Sequence, residues 1–200
     1  MATNSNFEVL QLWDRLDEML STGDYDDAKV TAERLIEIGC WGGALRLSNM
    51  YKSGDFGQAD ESEARRYRKL FSDNAVSSKF PVDLRLLAEM YQSGEIAFDE
   101  EKANSLLCRA AESGDREAQY EIANQLLRDA KLSEGQHREA LRFLVSSALA
   151  GYVPAVVDLA SQLNSDSVIT QIVALEMYRY AAKAGSLRAI EVLEHYQQSQ

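Results

Sequence analysis

Alanine recurs at Ala28, Ala64, Ala103, Ala140 and Ala174, and each copy is followed by the same pattern at the same offsets. Three residues on come Thr31, Tyr67, Leu106, Phe143 and Met177; seven and eight on come Leu35/Ile36, Phe71/Ser72, Ala110/Ala111, Ser147/Ala148 and Ala181/Ala182. Offsets of 0, 3, 7 and 8 fall on one side of an α-helix, so each copy reads as a helix with one packed face. Eleven residues after each alanine stand Gly39, Ala75, Gly114, Gly151 and Gly185. Glycine in four of the five copies is what a left-handed C-cap selects, because a residue without Cβ adopts that conformation without a clash. The copies lie 36, 39, 37 and 34 residues apart, a period that belongs to stacked helix pairs rather than to a single globular core.

The other helix of each unit opens four residues after the glycine, at Gly43, Ala118, Ala155 and Ala189, with Asp83 at the corresponding place in one unit. Offsets 4, 5 and 8 from that anchor give Leu47/Ser48/Tyr51, Leu87/Ala88/Tyr91, Ile122/Ala123/Leu126 and Leu159/Ala160/Leu163. Large, small and large residues thus share a face, and the small one lets two helices approach closely. At the amino end Leu12, Leu16, Leu20 and Gly23 fit the same ruler, with Asp17 at the small-residue position, as expected of an end helix with one open side. Ala189 and Leu193 open a last helix without a partner. The expected fold is all-α: a right-handed α/α superhelix, or solenoid, of about five helix pairs plus a C-terminal helix, about eleven helices. A single domain over 1–200 is expected, with units at roughly 6–39, 41–78, 81–114, 115–151 and 152–185 and a closing helix at 186–198.

Composition agrees with helix and narrows the function. Only Pro81 and Pro154 break a chain rich in good helix formers, and no stretch alternates with period two long enough for a sheet. The net charge is -11, and residues 1–27 hold seven acids against Arg15 alone. Such a surface repels phosphate backbones, so no nucleic-acid partner is expected. The one basic cluster, Arg65, Arg66, Arg68 and Lys69, follows Asp60, Glu61 and Glu63, the charge order of an ordinary helix with acids first and bases later. No signal peptide and no membrane span are read, and Cys40 and Cys108 lack metal-ligand spacing, so the expectation is a reduced, cytoplasmic protein whose cysteines pack as small side chains.

The segment Leu87-Ala88-Glu89-Met90-Tyr91-Gln92-Ser93-Gly94, continuing through Asp99, Ala103, Ala110-Ala111 and Gly114, resembles a unit of the Sel-one-like repeat (SLR) family, relatives of tetratricopeptide (TPR) repeats with a longer turn inside the pair. The turn from glycine to the next alanine spans 10 residues for Gly54 to Ala64 and 9 for Gly94 to Ala103, whereas Gly23 to Ala28 spans 5, the TPR spacing. The resemblance covers roughly residues 10–198. It departs from the pattern at Asp129 and Asp166, which replace the internal glycine, and at Ala75, followed by the four-residue excess within Val76-Ser77-Ser78-Lys79-Phe80-Pro81. That insertion is either a hinge between 1–78 and 81–200 or a looser turn.

The resemblance implies a module that binds a protein or peptide in the concave groove lined by the first helix of each pair. Offsets 2, 6 and 9, unused for packing, then face the groove: Leu45, Asn49, Lys52, Arg85, Glu89, Gln92, Tyr120, Asn124, Leu127, Val157, Ser161 and Asn164. Their mixture of Tyr, Arg, Asn and Gln with Leu and Val suits protein recognition, although ordinary surfaces are similarly mixed. Glu89 follows Arg85 where a TPR clamp for a peptide carboxyl terminus would want a second base, so no such clamp is expected. Asp14, Asp17, Asp24, Asp26 and Asp27 offer a second surface suited to a basic partner.

No catalytic constellation, cofactor motif or metal set is read. His137 lies in a polar loop and His195 in the last helix, 58 residues apart, and the pairs Asp26/Asp27 and Glu100/Glu101 sit at helix starts, where the dipole favours them. The expected function is a scaffold or adaptor, not an enzyme. The alternatives are an immunity protein or secretion chaperone that caps a basic toxin or effector and, more remotely, an enzyme accessory subunit. Expected partners are proteins, not membranes, with the chain a monomer or a weak homodimer through its end helices.

Overall fold

The computed structural model describes residues 2–128, 131–163 and 168–198, with residues 2–7 and 168–169 given by their backbone alone. Among the described residues there are eleven α-helices and no strand: α1 (Ala2–Thr22), α2 (Tyr25–Glu37), α3 (Gly42–Ser53), α4 (Glu61–Asn74), α5 (Pro81–Ser93), α6 (Glu100–Glu112), α7 (Arg116–Leu127), α8 (Glu134–Leu149), α9 (Val153–Leu163), α10 (Val168–Lys183) and α11 (Leu187–Gln198). Asp129 and Asp166 lie outside the described residues.

The helices start where side chains satisfy their orphan N–H groups. Asp24, Asp60, Asp99 and Asp115 each accept from main-chain N–H groups of the first turn of α2, α4, α6 and α7, and Ser133 forms a reciprocal capping box with Gln136 at α8. That box puts His137 in the first turn of α8, not in a loop as its polar neighbours suggest. They end where the glycine ruler placed the stops: Gly39, Gly114, Gly151 and Gly185 have φ between 80° and 96°. The copy with Ala75 instead continues into a 3-10 turn, Ala75–Ser77.

The repeated small residues are the contact points between helices. Ala28, Ala103 and Ala140 are wholly buried and Ala64 and Ala174 nearly so; the same holds for Ser48, Ala88, Ala123 and Ala160 at the small position of the other helix. Serine is tolerated in the core because its hydroxyl finds a main-chain acceptor on another segment: Ser48 donates to Ala64 O at 2.7 Å, Ser147 to Arg116 O at 2.6 Å. Replacing Ala123 with leucine is expected to overpack its contact and cost about 1–3 kcal/mol in urea unfolding. A neutral result would contradict the register.

The chain divides into two compact units, Met1–Leu107 and Cys108–Gln200, with the boundary inside α6. In the first, α1 to α4 pack in succession and Val9, Leu16, Ala28, Ala32, Leu35, Cys40, Leu47, Met50 and Phe80 form a core. In the second, α7 to α11 pack in succession, and Val156, Val157, Ala160, Ala174, Tyr178, Ala181 and Ala189 form a core against which Val192 and Leu193 of α11 rest. Both cysteines are free, but only Cys40 is a packing residue; Cys108 is exposed, because it lies one position off the buried stripe Leu106, Leu107, Ala110 and Ala111.

The 76–81 insertion is held at several points. Phe80 is buried in the first core, and Ser78 Oγ donates to Asp83 Oδ2 at 2.5 Å. Asp83, wholly buried on α5, also accepts from Trp41 N at 2.9 Å and Gly42 N at 2.6 Å, and Cys40 Sγ lies 3.7 Å from it. The first residues of α3 have no side-chain cap of their own, so a carboxylate from the next pair caps that helix across the packing interface. Burial pushes the Asp83 carboxyl up from its ordinary value, against the pull of Ser78, Trp41, Gly42 and Cys40 toward the ionised form. The same burial, reinforced by the Asp83 charge, raises the Cys40 thiol far above its usual range.

Candidate partner-binding site

Each unit presents a first-helix surface on which side chains from successive pairs meet. In the second unit, the Tyr120 hydroxyl on α7 donates to Asp158 Oδ2 on α9 at 2.7 Å, and Arg188 Nη1 on α11 donates to Asp158 Oδ1 at 2.7 Å. Tyr152 meets Tyr120 edge-on, ring centroids 5.2 Å apart. One half-buried carboxylate therefore ties three first helices together and fixes the orientation of a tyrosine and an arginine. Burial first, and then the Asp158 carboxylate, push the Tyr120 phenol up, while a hydrogen bond with Asn124 works the other way.

In the first unit, Arg46 of α3 lies between two residues of α1: its guanidinium is 5.4 Å from the Trp13 ring centroid and 3.2 Å from Asp17 Oδ1. Trp13 rests on Gly42, where an added Cβ would come within 2.6 Å of the indole. On α5, Arg85 is mostly buried and pairs with Glu89 at 2.5 Å, so the base that a carboxylate clamp would need is already neutralised.

The sequence-derived groove residues separate into three groups. Tyr120 and Asn124 come together at the Asp158 array, with Leu127 half-buried at the end of the same helix. Asn49, Lys52 and Glu89 are exposed and Leu45, Arg85 and Gln92 half-buried, all in the first unit; Ser161 is exposed, its hydroxyl donating to Asp158 O of its own helix. Val157 is a correction: it is buried in the second core and has no surface to offer. The cause is that α9 is packed by both α8 and α10, so it buries the run Ala155, Val156 and Val157, a wider arc than offsets 0, 4, 5 and 8. Asn164 lies outside the described residues.

The ruler missed Arg46 and Asp158, and it missed both for one reason. Each stands at offset 3 from its anchor, Gly43 or Ala155, one residue beyond the offset taken to face the groove. A charged residue at the same offset in three repeats, Arg46, Glu121 and Asp158, was the signal that could have found them. Trp13 and Arg188 sit on the two end helices, where the repeat pattern is weakest. The basic cluster of α4 behaves as charge order suggested: Arg66 pairs with Glu63, Lys69 with Asp73, and Arg68 with Glu95. Among the described residues no group of three or more His, Cys, Asp or Glu is placed to hold a metal ion, and no helix is long and apolar enough to cross a membrane.

No protein-family model matches the chain, and no curated protein matches it. Solved structures do. A Sel1 repeat protein from Oxalobacter formigenes superposes with a TM-score of 0.60 at 19% identity, over 84% of this chain and 48% of that one. A protective antigen of uropathogenic Escherichia coli that displays an SLR fold gives 0.56 at 23% identity, over 89% and 39%. The fold is that of the SLR proteins. An immunity protein from Pseudomonas aeruginosa shares it, with a TM-score of 0.53 at 22% identity over 82% of this chain and 59% of its own. The present chain thus spans less than two thirds of each of these structures, and at such identities the likeness is one of fold.

Proposed function

We propose that this chain is a cytoplasmic protein-interaction module that holds a partner protein or peptide on its first-helix surfaces. The observation that carries this reading is the Tyr120–Asp158–Arg188 array beside Tyr152. Tyrosine, tryptophan and arginine dominate measured binding energies, and side chains already fixed by hydrogen bonds lose little freedom when a partner arrives. Trp13 and Arg46 supply the same chemistry in the first unit.

A second reading, an immunity protein or secretion chaperone for a basic partner, is favoured by charge. Residues 1–107 hold twenty acids against twelve bases, and Asp14, Asp17, Asp24, Asp26 and Asp27 are all exposed. The likeness to an immunity protein supports it at the level of fold.

Native mass spectrometry of the chain purified from its source cell tests both and reads whether it is a monomer or a homodimer. A partner should be retained, and Tyr120→Ala or Arg188→Ala should weaken its binding by about 2 kcal/mol, or roughly 30-fold. Unchanged affinity in both variants and in Trp13→Ala would remove these surfaces from consideration. For a basic partner the association rate should also fall steeply with added salt.

A further inference from the structure

Three aromatic rings of the first unit gather beside α2: Tyr51 at the end of α3, Phe56 in the turn that follows, and Tyr67 on α4. Tyr51 and Phe56 are tilted by 57° with centroids 4.8 Å apart, and Tyr51 and Tyr67 are stacked within 9° at 5.6 Å. All three are half-buried, and Phe56 and Tyr67 also pack against the first core. The Lys29 ammonium from α2 stands 5.4 Å from the Phe56 centroid and 5.8 Å from that of Tyr51. Arg66 lies 4.4 Å from Tyr67. Glu33, one turn along α2 from Lys29, adds negative potential felt by both Lys29 and Tyr67.

Packing does not require this arrangement. Leu126 and Leu163 occupy the position of Tyr51 in other repeats, so an aliphatic residue fills the same gap. The tyrosines and the phenylalanine add electron-rich ring faces, and a cation is drawn to ring faces by their quadrupole most strongly when several converge and a carboxylate stands near. Lys29 reaches the rings on a four-methylene tail from α2, so its ammonium can swing away when a competing cation arrives.

We propose that Tyr51 and Phe56, with Tyr67 stacked on Tyr51, form a receptor for an alkylammonium cation, filled in the isolated chain by Lys29 and opened when a ligand's ammonium group displaces it. The ligand chemistry is a lysine side chain or a small quaternary ammonium. The receptor stands whether or not the first-helix surfaces bind a partner.

The test follows the tyrosine ring resonances by NMR in the wild type and in Lys29→Met, which keeps an apolar stem and removes the charge. Choline, Nα-acetyl-lysine amide and 3,3-dimethylbutan-1-ol, the neutral isostere of choline, are titrated in turn. Lys29→Met is expected to bind at least one of the two cations about tenfold more tightly than the wild type, the factor for a site otherwise open roughly one-tenth of the time. The neutral alcohol should not bind, and Phe56→Leu in the Lys29→Met background should abolish the shifts while circular dichroism stays unchanged. Should Phe56→Leu unfold, Tyr51→Leu serves in its place, read from the Tyr67 resonances. A response to choline alone identifies a small quaternary ammonium as the ligand; a response to the lysine derivative identifies a basic partner's side chain. Binding of the neutral alcohol as tightly as choline, or no response of Lys29→Met to either cation, overturns the proposal.

Discussion

Asp83→Ala should destabilise the first unit by about 3–5 kcal/mol, the largest effect expected of any single substitution outside the apolar core. The carboxylate accepts from Trp41 N, Gly42 N and Ser78 Oγ, the Gly42 bond buried and the other two half-buried, and a buried donor left without an acceptor costs roughly 1–3 kcal/mol. The saving in desolvation, signalled by the raised Asp83 carboxyl, offsets part of this loss. Urea unfolding with linear extrapolation measures it, and a loss below about 1 kcal/mol would mean that water replaces the carboxylate.

The raised carboxyl also sets a pH dependence. Above its folded pKa, Asp83 is ionised in both states, and folding bears the full cost of burying the charge. As pH falls through that folded pKa toward the ordinary value near 3.8, the folded state takes up the proton first, so this residue's contribution to stability rises. Asp83→Asn cannot titrate. The stability of the wild type relative to Asp83→Asn should therefore increase on acidification through this window and be constant above it; a difference moving the other way would mean that the three donors outweigh burial.

Gly43→Ala is the second large effect, about 3 kcal/mol of destabilisation. An added Cβ would stand 2.4 Å from the Ala32 carbonyl oxygen and 2.8 Å from Leu35 Cβ, and a main-chain carbonyl in a packed helix cannot swing aside as a side-chain tip can. The usual gain of alanine over glycine in a helix, about 1 kcal/mol, is thereby more than cancelled. Gly135→Ala is the internal control: it lies in the first turn of α8 with nothing within 4 Å of its added Cβ, and should be neutral or stabilising by up to about 1 kcal/mol. Thermal unfolding of the two variants side by side should shift in opposite directions or, at the least, separate by several degrees.

The fold was readable because its determinants are local and repeated. Ala28, Ala64, Ala103, Ala140 and Ala174 are all buried, and the glycines eleven residues on are all left-handed, since helix period and C-cap geometry act within a dozen residues. The candidate surface was less legible. Val157 stands at an outward offset although α9 is covered on two sides, and Arg46, Asp158 and Arg188, off the groove-facing offsets, owe their contacts to partners 29 or more residues away.

Asp83 marks the line between the two kinds of information. By itself the sequence determined that its helix starts at Pro81 and that a residue at this register faces a neighbouring helix, because those follow from periodicity and from the missing N–H of proline. Only the tertiary structure decided that a carboxylate there is an asset, by bringing the uncapped start of α3 and the Ser78 hydroxyl to within 3 Å of it. Helix period and caps are written in neighbouring residues, whereas the worth of a buried charge depends on which donors the rest of the chain delivers to it.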